Sequence, residues 1–330
     1  MPYPHFDPVL FQFGFIVIRW YALAYVAGIL LGWRYMIGLI RKPALWRGTA
    51  PVADDRQVDD LILWLTLGII LGGRVGYILF YNAQLIWTNP LEILMLWHGG
   101  MSFHGGLIGV ALAIAIFARA NRIEVVRLAD LIAPAAPLGL FFGRIANFIN
   151  DELWGRPTTA PWGMVFPNAQ DGVPRHPSQL YEAGLEGIVL FCVLLWGTYG
   201  AKLLPRRGAL TGLFLAGYAV ARIALENVRE PDQGMPHFPL GLTMGMMLSI
   251  PMLIAGLALI GWSRRPEAMA PPAPEAAPVK APPVKAEAAP AAAPPAGPAA
   301  SKPRAKAKPA ARRKRKAAKA KAAPKAPPKT

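Results

Sequence analysis

An arginine lies in the middle of an apolar stretch that is long enough to cross a membrane. This residue is Arg144, and the stretch covers residues 131–150. A charge at bilayer depth costs about 2.5–3.5 kcal/mol on insertion scales, so a chain retains one where it faces a partner, a cavity or a substrate. Arg74, Arg222 and Glu226 lie in comparable stretches. These residues indicate a polar site inside an apolar body.

The spacing of these polar residues places several of them on shared helix faces. Arg144 and Asn147 are three residues apart, so they lie on one side of a helix. A second stripe has spacings of four, four and three residues and consists of Tyr218, Arg222, Glu226 and Arg229. We expect both faces to point into the protein.

Arginines outnumber acids in these stretches, which predicts an anionic ligand. Arg74, Arg144, Arg222 and Arg229 face chiefly Glu226, with Asp151 and Glu152 just outside. A phosphate group suits such a site, because a guanidinium group binds it through two parallel hydrogen bonds. The alternative is a structural ion-pair network in which Glu226 bonds Arg222 or Arg229.

The histidines are weaker signals. His104 is followed by two glycines at the start of an apolar stretch, which makes it a candidate general base. The alternative is a hydrogen-bonded core histidine. His98 and His104 are not expected to bind a metal, because no Cys or carboxylate cluster completes a tetrahedral site. No metal or organic cofactor is predicted. His176 precedes another apolar stretch and is expected to orient a loop.

The elements that position these residues are membrane spans. The 330-residue chain is 54% hydrophobic, which excludes an ordinary soluble domain. A helix needs about 20 apolar residues to cross ~30 Å of hydrocarbon. Seven stretches qualify, and the sequence predicts an all-α polytopic helix bundle with spans at about 17–39, 59–81, 104–118, 128–149, 179–198, 209–227 and 240–262.

The distribution of basic residues predicts the orientation of these spans. With the N-terminus outside, the basic loops 40–58, 119–127 and 199–208 are cytoplasmic, and the outer loop 82–103 has no Lys or Arg. Five spans then place polar groups in the outer half of the bilayer: Tyr21, Arg74, His104, Arg144 and Arg222. We therefore expect one polar cavity that opens toward the outer side.

A cationic tail follows the apolar body. Residues 263–330 contain 17 Lys and Arg against three Glu, so they carry +14 of the net charge of +16. Their Ala-, Pro- and Lys-rich composition predicts disorder. The domains are therefore 1–262, the membrane body, and 263–330, a basic cytoplasmic tail. We expect the tail to contact anionic lipid. Nucleic acid is a less favoured partner, because the tail has no aromatic residues for base stacking.

Four sequence blocks resemble one family in their order and spacing. Residues 142–156 read FGRIANFINDELWGR, and the other blocks are GGMSFHGG (99–106), RHPSQLYE (175–182) and GYAVARIALENVREPD (217–232). Tyr21 follows Trp20 as in the first helix of this family. The chain resembles the bacterial prolipoprotein diacylglyceryl transferases over about residues 5–262.

The resemblance implies a reaction in the bacterial inner membrane, with the active site on the periplasmic side. A diacylglyceryl group moves from phosphatidylglycerol to the thiol of the lipobox cysteine that follows a preprolipoprotein signal peptide. The products are a thioether and glycerol phosphate. The resemblance implies that Arg144 binds the lipid phosphate, that Arg222 stabilises the departing phosphate, and that His104 accepts the thiol proton.

The resemblance also implies roles for further residues. Tyr21 and Asn147 match essential polar positions, and we assign them with His104 and Arg222 to the catalytic group. The predicted phosphatidylglycerol-binding residues are Arg144, Glu152, Gly155, Tyr218, Glu226 and Arg229. The sequence departs from the family pattern at His98, Ala146 and Asp151, and Asp151 adds negative charge near the phosphate site.

A membrane transporter of an anionic substrate is the alternative function. Charged residues within spans also line transport pathways. A transporter needs access from both sides of the membrane, and many transporters contain internal repeats. Neither feature is evident here.

Overall fold

The computed structural model describes residues 1–14, 16–96, 99–230 and 241–269, with the backbone alone at residue 16. The departure at His98, the end of the fourth sequence block and the first residue of the predicted span 240–262 lie outside the described residues. So does the tail from residue 270 onward.

The described part of the chain is mostly helical, which confirms the predicted fold class. Its α-helices are α1 (Trp20–Ile40), α2 (Asp55–Tyr81), α3 (Leu85–Thr88), α4 (Phe103–Ala120), α5 (Val125–Ile132), α6 (Ala136–Ile149), α7 (Ser178–Glu182), α8 (Leu190–Leu195), α9 (Ala209–Leu225) and α10 (Met244–Ser263). The π-helical segment Ala183–Val189 joins α7 to α8, and a second one, Trp196–Gly200, extends α8, so that Ser178–Gly200 is one continuous helix.

Two small antiparallel sheets accompany the helices. Strand β1 (Val9–Phe13) pairs with β2 (Ile16–Arg19), and β3 (Met164–Val165) pairs with β4 (Pro174–Arg175). The first helix begins at Trp20 rather than at residue 17 as predicted, because residues 16–19 extend in β2.

Within the described residues, five helices are long and apolar enough to cross a membrane: α1, α2, α4, Ser178–Gly200 and α10. The α5–α6 pair qualifies as one bent span, and α9 is a shorter apolar helix. The architecture is that of a multi-pass membrane protein. The count of seven spans and the direction in which they cross stay predictions.

The fourth predicted span is broken rather than straight. Helices α5 and α6 meet at a bend of 48°. Pro134 lies in the turn between them, where it has no backbone N–H to continue the hydrogen bonds of α5. Pro137 lies in the first turn of α6, where a missing backbone N–H is tolerated. The predicted span 128–149 is therefore a bent pair of helices.

Small residues allow α2 and α4 to pack backbone against backbone. A Cβ added to Gly68 would lie 2.7 Å from the Gly109 carbonyl oxygen. One added to Gly76 would lie 2.6 Å from the Gly105 Cα. No larger side chain fits at this crossing, so the regular glycine spacing specifies the helix pair.

Neighbouring helices run antiparallel, which brings the polar residues to one end of the bundle. Gly28 of α1 faces Gly139 of α6, and Phe141 of α6 faces Gly187 of the Ser178–Gly200 helix. Leu190 contacts Gly217 of α9 in turn. The C-terminal ends of α2, α6 and α9 therefore lie beside the N-terminal ends of α1, α4, Ser178–Gly200 and α10. We call this the polar end.

The largest apolar core lies toward the opposite end. It includes the fully buried residues Trp46, Leu128, Leu194 and Leu210. The carboxylate of Asp130 joins α5 to α9 here, accepting bonds from Gly208 N at 2.6 Å and from the backbone and hydroxyl of Thr211 at 2.8 Å. These bonds satisfy backbone donors in the first turn of α9 that have no partner within the helix.

Residues 263–269 are ordered, although the sequence places them in the tail. The backbone N–H of Arg207 donates to the Ala268 carbonyl at 2.9 Å, and Ala268 is fully buried. A 3₁₀ turn covers Pro266–Ala268. The ordered body therefore extends at least to residue 269, because these residues pack against the segment that leads into α9.

Candidate functional site

A buried ion-pair cluster lies at the polar end, and Arg144 of α6 is one centre of it. Its Nε lies 2.8 Å from an oxygen of Glu182, and its Nη2 lies 3.2 Å from an oxygen of Glu186. The Glu182 and Glu186 side chains are 1% and 0% exposed, and that of Arg144 is 17% exposed. Arg144 is thus held on one side and accessible on another.

The stripe on α9 joins the same cluster. Arg222 lies 2.5 Å from Glu226 of the next turn and 3.8 Å from Glu182. Arg229, just beyond α9, donates to Glu182 at 3.0 Å. A single carboxylate, Glu182, therefore contacts guanidinium groups from three parts of the chain. We call the six side chains the arginine cluster: Arg144, Glu182, Glu186, Arg222, Glu226 and Arg229.

Glu182 and Glu186 were not among the predicted site residues. The predicted excess of arginines over acids is therefore wrong for this cluster, which contains three of each. The rule that singled out Arg144 also applies to Glu182 and Glu186, because both are acids within an apolar span. Applied to the fifth span, it would have identified them.

An unusual helix geometry presents these two acids. Glu182 ends α7, and Glu186 lies within the π-helical segment Ala183–Val189. A π turn widens the helix and recurs at functional sites. Residues four apart share a face here, so both carboxylates point toward Arg144 on α6.

Four polar atoms of the cluster are buried without a hydrogen-bond partner among the described residues: Nη1 of Arg222, Oε2 of Glu182, Oε1 of Glu186 and Oε1 of Glu226. Of these, Oε2 of Glu182 and Oε1 of Glu226 lie within ion-pair distance of Arg144 and Arg222. A buried donor without an acceptor costs about 1–3 kcal/mol, so Arg222 favours a ligand that supplies one. Tyr218 lies one helical turn before Arg222 on α9. The arrangement can hold an anion.

Arg74 does not join the cluster, contrary to the expectation from its depth. Its guanidinium group donates to the carbonyl oxygens of Ile93 at 3.0 Å and Gly100 at 3.3 Å, and also to those of Glu92 and Gly99. It therefore fixes the chain that follows α2. The cause is local, because these carbonyls are the nearest acceptors at the end of that helix.

A second polar group joins α1 to α6. Asn147 donates to the Tyr21 hydroxyl at 2.9 Å and to Glu152 at 2.8 Å. Gln179 donates to the Glu152 backbone oxygen at 2.6 Å. Asn147 thus joins two other residues predicted for the site, Tyr21 and Glu152.

Gly155 has a packing role. A Cβ at this position would lie 2.5 Å from the Val228 carbonyl oxygen and 2.7 Å from the Cβ of His176. The Gly155 N–H donates to His176 O at 2.8 Å, and Gly155 forms a β-bridge with Arg229. Gly155 therefore lets the loop after α6 pack against the chain segment that contains Glu226 and Arg229.

His104 is not in contact with the arginine cluster. Its side chain is exposed, and its one described ring contact is an edge-on contact with Phe103, 5.7 Å between centroids. The adjoining Gly105 packs against α2 rather than leaving room beside the imidazole. The geometry gives no support for His104 as the base, which stays a prediction.

The loop between α6 and α7 packs against the N-terminal residues. The Tyr3 hydroxyl donates to Phe148 O at 2.5 Å, and Val165 N donates to Met1 O at 3.0 Å. Burial and the nearby Asp151 carboxylate raise the pKa of Tyr3 to about 12. Burial also raises the pKa of Asp151, so this acid costs free energy when it is charged.

Ion pairs and hydrogen bonds attach the same loop to the helix ends. Arg175 lies 2.6 Å from Asp171 and 3.2 Å from Glu230, and the guanidinium group of Arg175 lowers the pKa of Asp171. The Tyr181 hydroxyl accepts from Trp162 at 2.7 Å and lies 3.3 Å from Nδ1 of His176. These contacts agree with the expectation that His176 orients the loop.

Comparison with known proteins identifies the family. The family model for prolipoprotein diacylglyceryl transferase matches residues 8–262. The chain is 61% identical over 284 residues to the phosphatidylglycerol–prolipoprotein diacylglyceryl transferase of Phenylobacterium zucineum (strain HLK1), with 82% of this chain and 98% of the relative covered.

Relatives with the same name occur in other bacteria. That of Caulobacter vibrioides (strain NA1000 / CB15N) is 56% identical over 286 residues, covering 79% of this chain and 93% of the relative. That of Rhodospirillum rubrum is 54% identical over 275 residues, covering 82% and 97%. The chain belongs to the prolipoprotein diacylglyceryl transferase family of membrane-embedded transferases.

Proposed function

We propose that this protein transfers the diacylglyceryl group of phosphatidylglycerol to the thiol of the lipobox cysteine of preprolipoproteins. Support comes from the relatives, whose names state phosphatidylglycerol and prolipoprotein as substrates. The reaction is the first step of bacterial lipoprotein maturation. The transporter alternative has no support from these relatives, which are all named as transferases.

The observation that carries the site assignment is the pairing of Arg144 and Arg222 through Glu182. The two guanidinium groups come from different helices and share one buried carboxylate, at 2.8 Å and 3.8 Å. A phosphodiester that accepts bonds from both would use Nη1 of Arg222, which has no hydrogen-bond acceptor among the described residues. Arg144 binds the lipid phosphate, and Arg222 stabilises the charge that develops on the departing phosphate.

The chemistry is a displacement at carbon. The cysteine sulfur attacks the glyceryl CH₂ of the lipid that carries the phosphoester oxygen, and a C–S bond forms. The C–O bond to the phosphate breaks, its electron pair stays on the oxygen, and glycerol phosphate leaves. The thiol proton passes to a base. A free thiol has a pKa of about 8.5, so proton removal at neutral pH needs a base or an electropositive site.

The remaining polar residues orient the substrates. His104 is the candidate base. Tyr21 and Asn147 hold the base or the lipid headgroup, and Glu152 is their hydrogen-bonded support. Gly155, Tyr218, Glu226 and Arg229 complete the lipid-binding region around Arg144. No resident metal or organic cofactor is required by this scheme.

The membrane topology brings the two substrates to one site. We place the polar end toward the periplasm in the bacterial inner membrane, with seven spans, the N-terminus outside and the C-terminus in the cytoplasm. This agrees with the basic residues of the opposite loops. The phosphate of an outer-leaflet lipid and the cysteine that follows a signal peptide then reach the same depth. The tail lies on anionic lipid of the inner surface.

A defined assay tests this function. Purified protein, phosphatidylglycerol vesicles and a lipobox peptide are expected to yield a thioether-linked peptide, detected by mass spectrometry.

Arg144→Ala should lower the rate at least ~100-fold, because one preorganised donor contributes about 10²–10³ in rate. Arg119→Ala is the matched control, because Arg119 is exposed in the last turn of α4, away from the polar end. This variant should keep the wild-type rate of transfer. Near-normal turnover by Arg144→Ala would show the site to be wrong. Release of glycerol phosphate without peptide would indicate a phospholipase.

A further inference from the structure

The carboxylate of Glu182 is the common counter-ion of the arginine cluster. It lies 2.8 Å from Arg144, 3.0 Å from Arg229 and 3.8 Å from Arg222, and its side chain is 1% exposed. No other carboxylate in the described part of the chain forms ion pairs with three guanidinium groups, and Glu186 forms one with Arg144 alone. Glu182 comes from the Ser178–Gly200 helix, and its partners come from α6, α9 and the segment after α9.

Each of the two arginines that would contact phosphate has one further acid partner besides this shared acid. Arg144 also has Glu186, so it keeps one partner without Glu182. Arg222 also has Glu226, one helical turn away on α9. Among the described ion pairs, Glu186 contacts Arg144 and Glu226 contacts Arg222, so neither of these acids joins the two arginines. Glu182 contacts both.

We infer that Glu182 is a positioning residue that holds Arg144 and Arg222 in the register needed to stabilise the departing phosphate. The inference deepens the proposed function and rests on it. Glu182 itself touches no reacting atom. It orients the donors before the lipid arrives, so that their reorganisation does not add to the barrier.

Charge neutralisation at Glu182 should separate binding from turnover. Glu182→Gln keeps the shape but leaves three arginines with two acids. The extra positive charge does not weaken attraction of an anionic lipid, so the KM for phosphatidylglycerol should stay equal or fall. The arginines lose their common anchor, so kcat should fall by about tenfold or more. Such a split marks an interaction that matters in the transition state rather than in ground-state binding.

The matched control is Glu186→Gln, which neutralises an equally buried acid on the same helix with a single arginine partner. It should lower kcat by less than Glu182→Gln does. Rates are expressed per folded enzyme, quantified by the monodisperse fraction in detergent. A merely structural role would lower that fraction and leave kcat and KM per folded enzyme unchanged.

A shorter acid covers the case in which Glu182→Gln does not fold. Glu182→Asp keeps the charge but cannot reach all three guanidinium groups at once, and its kcat should fall by about fivefold or more. The inference is overturned if the folded variants keep kcat within twofold of wild type, or if Glu186→Gln has the larger effect. Wild-type enzyme in the same assay distinguishes failure of the proposed function from failure of the inference about Glu182. If the wild type forms no thioether, the proposed function is wrong. If the wild type is active and the Glu182 variants have the same kcat, only the inference about Glu182 is wrong.

Discussion

Asn147 donates a hydrogen bond to the Tyr21 hydroxyl at 2.9 Å, and this bond ties the start of α1 to the end of α6. The same amide donates to Glu152 at 2.8 Å. Both hydrogens of one buried amide are therefore used, and the three side chains hold one another in fixed orientations. Such a group suits a site that must orient a lipid headgroup.

Removal of the Tyr21 hydroxyl tests this group. Tyr21→Phe takes away one acceptor while Asn147 keeps Glu152, so the stability cost should be about 1 kcal/mol. The rate of diacylglyceryl transfer should fall by about tenfold or more, because the remaining bond no longer fixes the amide against α1. Tyr25→Phe is the control, since Tyr25 packs on Tyr21 at 5.2 Å but is half exposed. Equal rates for both variants would argue against the role of Tyr21.

A pH profile tests His104 as the base. His104→Ala should lower the transfer rate at pH 7 at least ~100-fold, because a positioned general base contributes about 10²–10⁴ in rate. The rate should recover as the pH rises toward about 9, since a free thiol then ionises without help. A loss that is equally large at every pH would assign the proton transfer to another group.

Substitution of Gly155 tests the packing of the loop after α6. Gly155→Ala places a methyl group 2.5 Å from the Val228 carbonyl oxygen, so we expect a loss of about 1–3 kcal/mol in stability and a displaced Arg229. Thermal unfolding in detergent and the transfer rate measure the two effects. Gly184→Ala is the control, because a Cβ at Gly184 meets open space. An unfolding temperature for Gly155→Ala that equals wild type would contradict the close packing.

Arg74 should prove important for stability and not for chemistry. Arg74→Lys replaces a fork of donors to four carbonyl oxygens with one compact ammonium, leaving buried acceptors unpaired. Each unpaired buried group costs about 1–3 kcal/mol, so the unfolding temperature should drop by several degrees. The kcat and KM per folded enzyme should remain those of wild type. A raised KM for phosphatidylglycerol would return Arg74 to the binding site.

Two truncations locate the end of the functional body. A chain that ends after residue 269 should keep its transfer rate within twofold of wild type, because the arginine cluster and its supporting helices are intact. A chain that ends after residue 262 loses the contact of Ala268 with Arg207 and should give less folded protein. A well-inserted 1–269 protein without activity would show that the basic tail takes part in transfer.

Sequence reasoning succeeded where a residue's meaning depends on its local surroundings. Apolar length predicted the spanning helices, and the cost of an intramembrane charge drew attention to Arg144 and Arg222. The spacing of the α9 stripe correctly placed Arg222 and Glu226 together. Sequence reasoning missed Glu182 and Glu186 because the cost of an intramembrane charge was not considered for the fifth predicted span. It misplaced Arg74 because depth alone does not distinguish a cavity from a cluster of backbone carbonyls.

The sequence by itself determined that the chain forms apolar helices, that charged side chains are buried among them, and that its blocks match one family of transferases. These properties follow from the composition, the residue spacing and the residue identities along the linear sequence. Only the tertiary structure decided which charges meet. Glu182 contacts Arg144 and Arg229 because separate helices pack antiparallel. These two partners are 38 and 47 residues away from Glu182 in the sequence. A pairing across such a separation depends on helix crossing and rotation, which no local pattern encodes.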